Sequence, residues 1–318
     1  MAEAEAQNLH KPVMLRETLR LLDPRSGETI VDATLGLGGH SEAILAAGGD
    51  IGLIGIDQDS AAIAHAAKRL EKFGDRARIV HANFSEIKSA LRREGIEKVD
   101  GILADLGVSS LQFDSEDRGF SFRFDAPLDM RMDPDSGEET AAEMLEYLSE
   151  EEIANVIYEY GEERASRRIA RWIVERRDRG EPVTTTKELA DLVARAVKKG
   201  PKDKIHPATR TFQALRIAVN RELEILEEFI RDSVDLLKKN GRLTIITFHS
   251  LEDRIVKQTF QKLAGKCFCP PRIPQCVCGA QKRVEIVTKK PVTPDEVEMQ
   301  ENPRSRSAKL RACFKLDQ

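Results

Sequence analysis

The chain has 318 residues, of which 41% are hydrophobic and 33% charged, and its formal net charge is −4 at pH 7. This length is enough for about two domains with a sizeable core, and the composition excludes a collagen, a disulfide-rich mini-protein and a wholly disordered chain. No apolar run approaches the ~18 residues of a membrane-spanning helix, and the first residues lack the basic and apolar regions of a signal peptide. We therefore expect a cytoplasmic protein with no membrane partner.

The first hundred residues alternate short β-prone runs with helical patterns, which is typical of βαβ units and a parallel sheet. The predicted strands are 29–32, 51–57, 77–81 and 99–105. The predicted helices between them are about 41–47, 60–73 and 84–94. Together these elements predict an α/β domain with a doubly wound sheet.

After Asp105 the alternation stops. Residues 107–137 are rich in Gly, Asp, Ser and Phe and predict a long loop, and residues 138–199 predict several charged helices without a strand. The α/β pattern then resumes, and its predicted elements are a helix at 207–240, a strand at 242–248, a helix at 251–263 and a hairpin formed by 283–288 and 309–315. We thus expect a core made of residues 1–112 and 207–318, interrupted by a mainly helical insertion at 113–206.

Charge is segregated within this middle region. Between Asp114 and Glu163 there are 17 acidic and 3 basic residues, whereas between Arg164 and Arg216 there are 15 basic and 6 acidic residues. Neighbouring helices of opposite charge could neutralise one another, or a local basic face could attract phosphates. Composition leaves both interpretations open.

The first predicted strand leads into a glycine-rich turn that contains Gly36, Gly38 and Gly39 and opens a helix. Glycines at such a turn let the backbone approach a ligand closely. The spacing departs from the G-x-G-x-x-G pattern that holds a dinucleotide pyrophosphate. Asp57 ends the second strand, 18 residues after Gly39, where a carboxylate can accept hydrogen bonds from both ribose hydroxyls.

Polar groups also follow the third and fourth strands. Asn83 and Phe84 could flank an adenine, although Phe84 could equally serve the core, and Asp105 ends the fourth strand. Side chains at these positions project from the carboxyl edge, where open α/β sheets bind ligands. An adenosine-containing cofactor without a pyrophosphate, S-adenosyl-L-methionine, fits this set best.

The chain resembles the MraW or RsmH family over nearly its whole length. The resemblance rests on the segments 10–13, 32–41, 81–84, 105–112, 206–210, 212–220, 247–254 and 302–311, in that order. It implies a Rossmann-like class I S-adenosylmethionine-dependent methyltransferase whose insertion helps to bind substrate. It also implies transfer to N4 of a cytidine in the decoding (P-site) region of bacterial 16S rRNA, with the rRNA in the small ribosomal subunit as partner. The oligomeric state is left open.

The family's cofactor contacts map onto seven positions of this chain: Gly38, Gly39, His40, Asp57, Phe84, Asp105 and Gln112. The resemblance alone supplies Gln112. Two other functions stay open: a methyltransferase that acts on another acceptor, such as DNA or protein, and a non-catalytic RNA-binding assembly factor.

Asp105 is also the candidate catalytic residue. The lone pair of cytosine N4 is delocalised into the ring, and an acceptor for an N4 proton would localise it. N4-methylating enzymes of DNA often follow an acidic residue or Ser with Pro-Pro and an aromatic, whereas Asp105 is followed by Leu-Gly-Val. Asp105 could orient either the cofactor or the target amine.

Several other residues have both a functional and a structural interpretation. Phe120, Phe122 and Phe124 could stack on a flipped base or fill the core. His249, after the fifth strand of the sheet, could be catalytic or structural. Basic side chains that could meet phosphates are Arg210, Arg216 and Arg221, and, near the C-terminus, Arg304, Arg306, Lys309 and Arg311.

Four of the five cysteines form two C-x-C pairs, and these are Cys267, Cys269, Cys276 and Cys278. They could bind zinc, remain reduced thiols or form a disulfide. Their position in a loop before the predicted hairpin favours stabilisation over catalysis. Cys313 lies in the last apolar strand and is expected in the core.

Overall fold

The computed structural model describes residues 11–197, 206–270 and 277–317. His10 of the first family segment and Cys276 of the cysteine loop therefore lie outside the described residues. By its contacts the chain divides into a sheet unit, Met1–Gly107 with Leu223–Gln318, and a helical unit, Val108–Glu222. Among the described residues no helix is long and apolar enough to cross a membrane.

The sheet unit is built on one sheet, which has seven strands in the described part, in the order β3-β2-β1-β4-β5-β7-β6. The strands are β1 Thr29–Asp32, β2 Gly52–Asp57, β3 Ala77–His81, β4 Val99–Asp105, β5 Leu237–Thr247, β6 Val284–Ile286 and β7 Lys309–Lys315. The first five strands run parallel, and β7 is antiparallel to both β5 and β6. This order is Rossmann-like, with the antiparallel strand β7 inserted between β5 and the edge strand β6.

Thirteen helices are assigned in the described part. They are α1 Leu15–Leu22, α2 Gly39–Ala47, α3 Ser60–Leu70, α4 Ile87–Arg93, α5 Ser110–Asp114, α6 Ala141–Tyr147, α7 Glu150–Gly161, α8 Ser166–Asp178, α9 Thr186–Ala196, α10 Thr209–Val219, α11 Leu226–Leu236, α12 Ser250–Leu263 and α13 Glu296–Glu301. Short 3₁₀ turns follow α3, β3 and α13, at Glu71–Arg76, Phe84–Glu86 and Pro303–Ser307.

Helices cover the sheet because its central strands are apolar on both faces. One core cluster packs β4 and β5 against α11 and α12, where Phe229 and Phe260 are fully buried. A second cluster packs β1 and β2 with Ile44 and Leu45 of α2. The sheet unit thus holds the carboxyl ends of its parallel strands on a rigid support.

The helical unit has a core of its own. Apolar residues spaced three or four apart on α7, α8 and α9 interdigitate, among them Ile157, Ile173 and Leu189. Capping boxes begin four of its helices, with Ser109, Thr140, Ser149 and Thr185 as the N-cap residues. This unit can therefore form a compact fold without adding a strand to the sheet.

The sequence predicts the five parallel strands and the terminal hairpin correctly, but the single helix predicted over 207–240 is wrong. The structure has two helices there, α10 and α11, because Arg221 adopts a left-handed backbone with φ 51°. The Asn220 side chain also accepts a hydrogen bond from Met132 N and donates one to Met130 O, both at 2.8 Å. The predicted loop at 107–137 contains the short helix α5.

Helix α10 belongs to the helical unit by its contacts. Gly161 of α7 lies so close to it that a Cβ there would sit 2.6 Å from the carbonyl oxygen of Arg210. Phe212 and Leu215 of α10 complete the apolar core of this unit. The contact-based unit therefore spans 108–222, whereas the sequence places the insertion at 113–206.

Candidate active site

The turn after β1 is shaped by glycines and held by Asp57. Gly36 and Gly38 have left-handed backbones with φ 51° and 74°, which glycine adopts without strain. Gly39 begins α2 so close to Pro12 that a Cβ would lie 2.6 Å from the proline Cγ. Gly39 thus allows close packing against Pro12, and close approach of this turn to a ligand stays a prediction.

Asp57, at the end of β2, fixes this turn from the neighbouring strand. Its carboxylate oxygens accept hydrogen bonds from the backbone N–H groups of Gly36, at 2.7 Å, of Asp59, at 2.9 Å, and of Gln58. Burial raises the pKa of Asp57 despite these bonds. Because each carboxylate oxygen can accept two hydrogen bonds, Asp57 keeps acceptor capacity for ribose hydroxyls.

Asp32 ends β1 and is fully buried. The Ser41 hydroxyl donates to its carboxylate at 2.7 Å, and the backbone N–H of Thr34 donates at 3.3 Å. Burial raises the pKa of Asp32 to about 6. Sequence reasoning gives Asp32 no role, although an acidic residue at the end of the first strand is a signal that could have identified it.

Asp105, at the end of β4, has the least satisfied carboxyl group of this edge. Its backbone N–H donates to the Thr34 hydroxyl at 2.6 Å, which ties β4 to the glycine turn. One carboxyl oxygen, Oδ1, is buried without a hydrogen-bond partner, and the other, Oδ2, lies 3.7 Å from His40 Nδ1. Burial, and then the charges of Asp32 and Glu252, raise the pKa of Asp105 well above its usual range.

His40 complements this carboxyl group as a neutral ring. Its Nε2 lies 3.0 Å from the Val13 carbonyl oxygen, a contact that assigns the proton to Nε2 and leaves Nδ1 as an acceptor facing Asp105. Burial lowers the pKa of His40 to about 4. The His40 ring is therefore uncharged at physiological pH and does not offset the burial that disfavours ionisation of Asp105.

His249 serves as the N-cap of α12. The backbone N–H of Phe248 donates to buried Glu252 at 2.8 Å, and that of Glu252 points to the His249 ring at 3.5 Å. His249 Nε2 lies 3.2 Å from the Glu252 carboxylate without hydrogen-bond geometry. These contacts support the structural interpretation of His249.

Phe84 follows β3 and is half-buried. Its ring meets Phe229 edge-on, with ring centroids 5.0 Å apart, and it packs against the core of the sheet unit. Next to it, Asn83 caps the following turn through Ser85 N and donates to the Gln58 side chain at 2.6 Å. A core contact for Phe84 is thus observed, and stacking on adenine stays a prediction.

The sheet brings Asp32, Asp57 and Asp105 to one edge, because β1 lies between β2 and β4. The groups that contact these three carboxyls are hydroxyl, backbone amide and neutral imidazole. S-Adenosylmethionine carries ribose hydroxyls, which need hydrogen-bond acceptors, and an ammonium and a sulfonium, which favour nearby negative charge. Carboxyl groups whose contacts include no basic side chain can supply both. The residues present therefore fit this cofactor, which supplies an electrophilic methyl group when bound.

Comparison with known proteins decides the family. The model of the MraW methylase family matches residues 7–316. The chain belongs to this family. It is an S-adenosylmethionine-dependent methyltransferase, and the Rossmann-like class I fold expected from the sequence is confirmed.

Curated relatives in this methylase family are similar over nearly their whole length. Ribosomal RNA small subunit methyltransferase H of Geotalea daltonii is 53% identical over 309 residues, 96% of this chain and 98% of the relative. The protein of the same name from Carboxydothermus hydrogenoformans is 50% identical over 307 residues, with the same coverage. The solved structure of a putative rRNA methylase from Clostridium thermocellum is 12% identical in sequence, and the match covers 97% of this chain and 100% of the other. Its TM-score is 0.45, and the family assignment does not rest on it.

The remaining cofactor position of the methylase family, Gln112, lies in the helical unit. Its side-chain oxygen accepts from Ser109 N at 3.0 Å and completes the capping box of α5, and its amide nitrogen lies 3.5 Å from the Met132 carbonyl oxygen. These contacts give Gln112 a local structural role. Its role toward the cofactor stays a prediction from the resemblance.

The three phenylalanines proposed for base stacking differ in exposure. Phe120 is buried in the core of the helical unit, and Phe122 packs on Phe212 and His206, with ring centroids 5.0 and 4.7 Å apart. The segment bends instead of forming a strand, so the three rings do not share one face. Phe124, with 36% of its surface exposed, is the ring that remains accessible.

Two of the proposed phosphate-binding arginines hold the fold together. Arg216 forms two hydrogen bonds of 2.8 Å with the buried Glu222 carboxylate. Arg311 is 5% exposed and donates to Asp253 at 2.6 Å, which also lies 3.4 Å from Lys309. Arg210 lies half-exposed, 4.0 Å from Glu163.

Proposed function

We propose that this methyltransferase transfers a methyl group from S-adenosylmethionine to N4 of a cytidine in the decoding (P-site) region of 16S rRNA. Full-length similarity to relatives named ribosomal RNA small subunit methyltransferase H supports small-subunit rRNA as the substrate. The observation that carries the proposed chemistry is the buried carboxyl oxygen of Asp105, which lacks a hydrogen-bond partner at the ligand-binding edge. Action on the ribosome places the protein in the cytoplasm.

Methyl transfer from a sulfonium is an in-line displacement, so the nucleophile must be held opposite the leaving sulfur. Cytosine N4 is a weak nucleophile because its lone pair conjugates with the ring. An oxygen of Asp105 that accepts an N4 proton localises this lone pair and orients the amine. Asp105 can do this because Thr34 anchors its backbone and, among the described residues, no donor bonds to Oδ1.

The charge state of Asp105 depends on what is bound. Without a ligand, burial and the charges of Asp32 and Glu252 raise its pKa and so favour the protonated form. A positively charged ligand near this edge favours the ionised carboxylate and lowers its pKa. We infer that Asp105 becomes a competent acceptor when the cofactor is bound, while the neutral His40 ring limits its rotation.

Cofactor binding in the sheet unit is assigned to the residues that shape its carboxyl edge. These are Gly38, Gly39, His40, Asp57, Phe84 and Asp105. Gly38 and Gly39 allow close approach, Asp57 accepts from ribose, and Phe84 offers an aromatic edge beside the adenine position. Asp32 joins this set as an acidic neighbour of Asp105.

The helical unit is assigned to binding the RNA substrate. Helix α8 and the turn before it carry four exposed arginines, and these are Arg164, Arg167, Arg168 and Arg171. Arg171 lies 3.6 Å from Glu150, so part of the acidic segment neutralises part of this basic face. The other side chains remain at the surface, where phosphate contacts give affinity that falls with salt.

The direct test is incubation of the purified protein with S-adenosylmethionine and small ribosomal subunits that lack the modification, followed by nucleoside mass spectrometry. We expect N4-methylcytidine, mapped to the P-site region by digestion of the 16S rRNA. The same assay with protein-free 16S rRNA distinguishes an assembled subunit from free RNA as substrate.

Three results would contradict the proposal. A methylated nucleoside other than N4-methylcytidine would assign a different acceptor, and methylation of DNA or protein alone would exclude rRNA. Cofactor binding without methyl transfer to any RNA would favour an RNA-binding assembly factor. The Asp105→Asn variant in the same assay shows whether any product depends on this site.

A further inference from the structure

The cysteine loop brings three thiols together on the sheet unit. Cys267 and Cys269 follow α12, and Cys278 precedes β6, so the thiols come from two ends of one long connection. Their Sγ atoms all lie within 4.8 Å of one another. The Sγ atoms of Cys267 and Cys278 are 3.6 Å apart.

This separation distinguishes among the chemistries open to the loop. A disulfide joins its sulfurs at about 2.05 Å, well below the observed distance. A tetrahedral zinc ion bonds each thiolate sulfur at about 2.3 Å, which places two such sulfurs about 3.8 Å apart. The Cys267–Cys278 distance therefore matches two ligands of one metal ion.

The surroundings of the thiols also point to a ligand and not to core packing. Cys267 and Cys278 are exposed, and so is Phe268 between the first two cysteines, whereas Cys313 is fully buried in β7. Burial alone raises the pKa of the Cys313 thiol, as expected for an inert core residue. A loop that exposes several clustered thiols gains little hydrophobic stabilisation from them.

Basic side chains surround the cluster. The ammonium groups of Lys262 and Lys266 lie 6.0 and 5.5 Å from the centroid of the Phe268 ring. With Arg231 and Arg283 they line a groove of about 430 Å³ that also includes Cys278. Lys262 and Arg231 pair with Glu227, and Arg283 pairs with Asp235, so their charges are partly neutralised. A zinc ion with three or four thiolates has a net negative charge, which Lys266 at this groove would offset in part.

We propose that Cys267, Cys269 and Cys278 bind one zinc ion, or a chemically similar soft divalent cation, as a structural site. The ion would tie the end of α12 to the segment before β6 and so fix the rim of the basic groove. Because a thiol must lose its proton to bind a metal ion, the affinity for zinc should increase with pH. This inference is independent of the methylation proposal.

The test uses the full-length protein, reduced and stripped of metal, titrated with Co²⁺ and then with Zn²⁺. We expect thiolate-to-cobalt charge transfer and the d–d absorption of a tetrahedral site at one equivalent, both lost when Zn²⁺ displaces the cobalt. Cys267→Ser and Cys278→Ser should each remove the thiolate signal. Cys313→Ala, which removes a thiol outside the cluster, should keep it, and Cys276→Ser shows whether the fourth ligand comes from that residue.

Thiol reactivity gives a second measurement that does not depend on how the variants fold. In the wild-type protein, Zn²⁺ should slow the reaction of three or four thiols with a disulfide reagent and raise the midpoint of thermal unfolding. Cobalt spectra without sulfur ligation, or thiols that react equally fast with and without Zn²⁺, would overturn the proposal. A disulfide found by mass spectrometry in protein purified without reductant, together with failure to bind Zn²⁺ after reduction, would also overturn it.

Discussion

Three carboxyl groups at the ligand-binding edge share an unusual property, because burial raises the pKa of Asp32, Asp57 and Asp105. In the absence of a cation, burial makes their ionisation less favourable than in water. A ligand with an ammonium and a sulfonium favours the ionised forms, so its binding is coupled to release of protons from this edge. Cofactor affinity should therefore rise with pH as these groups ionise.

Replacing Asp32 by Asn should stabilise the ligand-free protein at pH 8. The folded state holds the Asp32 proton more tightly than the unfolded chain does. The stabilisation that this proton gives the folded state is therefore present below about pH 4 and is lost as the pH rises through about 6. The shift from 3.8 to about 6 corresponds to about 3 kcal/mol, which is the upper limit of the expected gain. Urea unfolding at pH 4 and pH 8 measures it, and the difference between variant and wild type should vanish at pH 4.

Asp75→Asn, at an exposed position, is the control for a general effect of removing negative charge. A less stable Asp32→Asn protein at pH 8 would show that the hydrogen bonds from Ser41 and Thr34 to the ionised carboxylate outweigh its desolvation.

The Asp105→Asn variant separates the two roles considered for this residue. If the carboxylate accepts the N4 proton, the rate of methyl transfer should fall about 10²-fold or more, because that is the usual contribution of a positioned proton acceptor. Cofactor affinity, measured by calorimetry, should change only a few-fold. Loss of cofactor binding in parallel with activity would instead assign Asp105 to orienting the cofactor, and unchanged turnover would remove it from the mechanism.

At the scale of elements, the sequence predicts the sheet well because each strand is an apolar run that ends in a turn or a polar residue. The hairpin of β6 and β7 is predicted on the same grounds. The break between α10 and α11 is not predictable in this way. It depends on hydrogen bonds that the Asn220 side chain accepts from Met132 N and donates to Met130 O, 88 and 90 positions earlier, and periodicity carries no information on such partners.

The same limit applies to the candidate site. Residues at strand ends are found from the pattern, which places Asp57 and Asp105 correctly at the carboxyl edge. Whether an arginine meets a phosphate or a carboxylate depends on distant partners, as the Arg311 pair with Asp253 shows across 58 positions. Full burial of Asp32 is likewise a consequence of packing between elements.

Gly39→Ala tests the close packing at the start of α2. The added methyl group would lie 2.6 Å from Pro12 Cγ, so the helix N-terminus or the segment before α1 must shift. Overpacking of this kind costs about 1–3 kcal/mol, and a displaced turn should also weaken cofactor binding. Gly49→Ala, where nothing lies within 4 Å of the added Cβ, is the matched control. Equal stability and equal cofactor affinity of the two variants would show that Pro12 yields freely.

At the scale of the whole molecule, the net charge of −4 conceals a basic surface on an otherwise acidic chain. Some of its arginines are committed to buried pairs, as Arg216 is to Glu222. The four arginines at and before the start of α8 are exposed instead. A negatively charged protein can therefore bind a polyanion where exposed cations cluster locally, as these four arginines do.

This surface predicts a specific salt dependence of RNA binding. Affinity for small-subunit rRNA should fall linearly on a log–log plot against salt concentration, with a slope set by the number of phosphates contacted. Replacing Arg164, Arg167, Arg168 and Arg171 together by Ala should lower the magnitude of that slope by about 3, because each contact contributes about 0.7–0.9. Filter binding over a series of KCl concentrations measures both slopes.

Arg92→Ala combined with Arg93→Ala removes two basic residues from α4 of the sheet unit and should leave the slope nearly unchanged. Circular dichroism confirms that each variant keeps its helices. If the four-arginine variant binds with the wild-type slope, the basic segment neutralises the neighbouring acidic helices and does not contact phosphate. RNA recognition would then have to rest on other exposed cations, and Arg306, which lies on the surface near the C-terminus, is the next to be substituted.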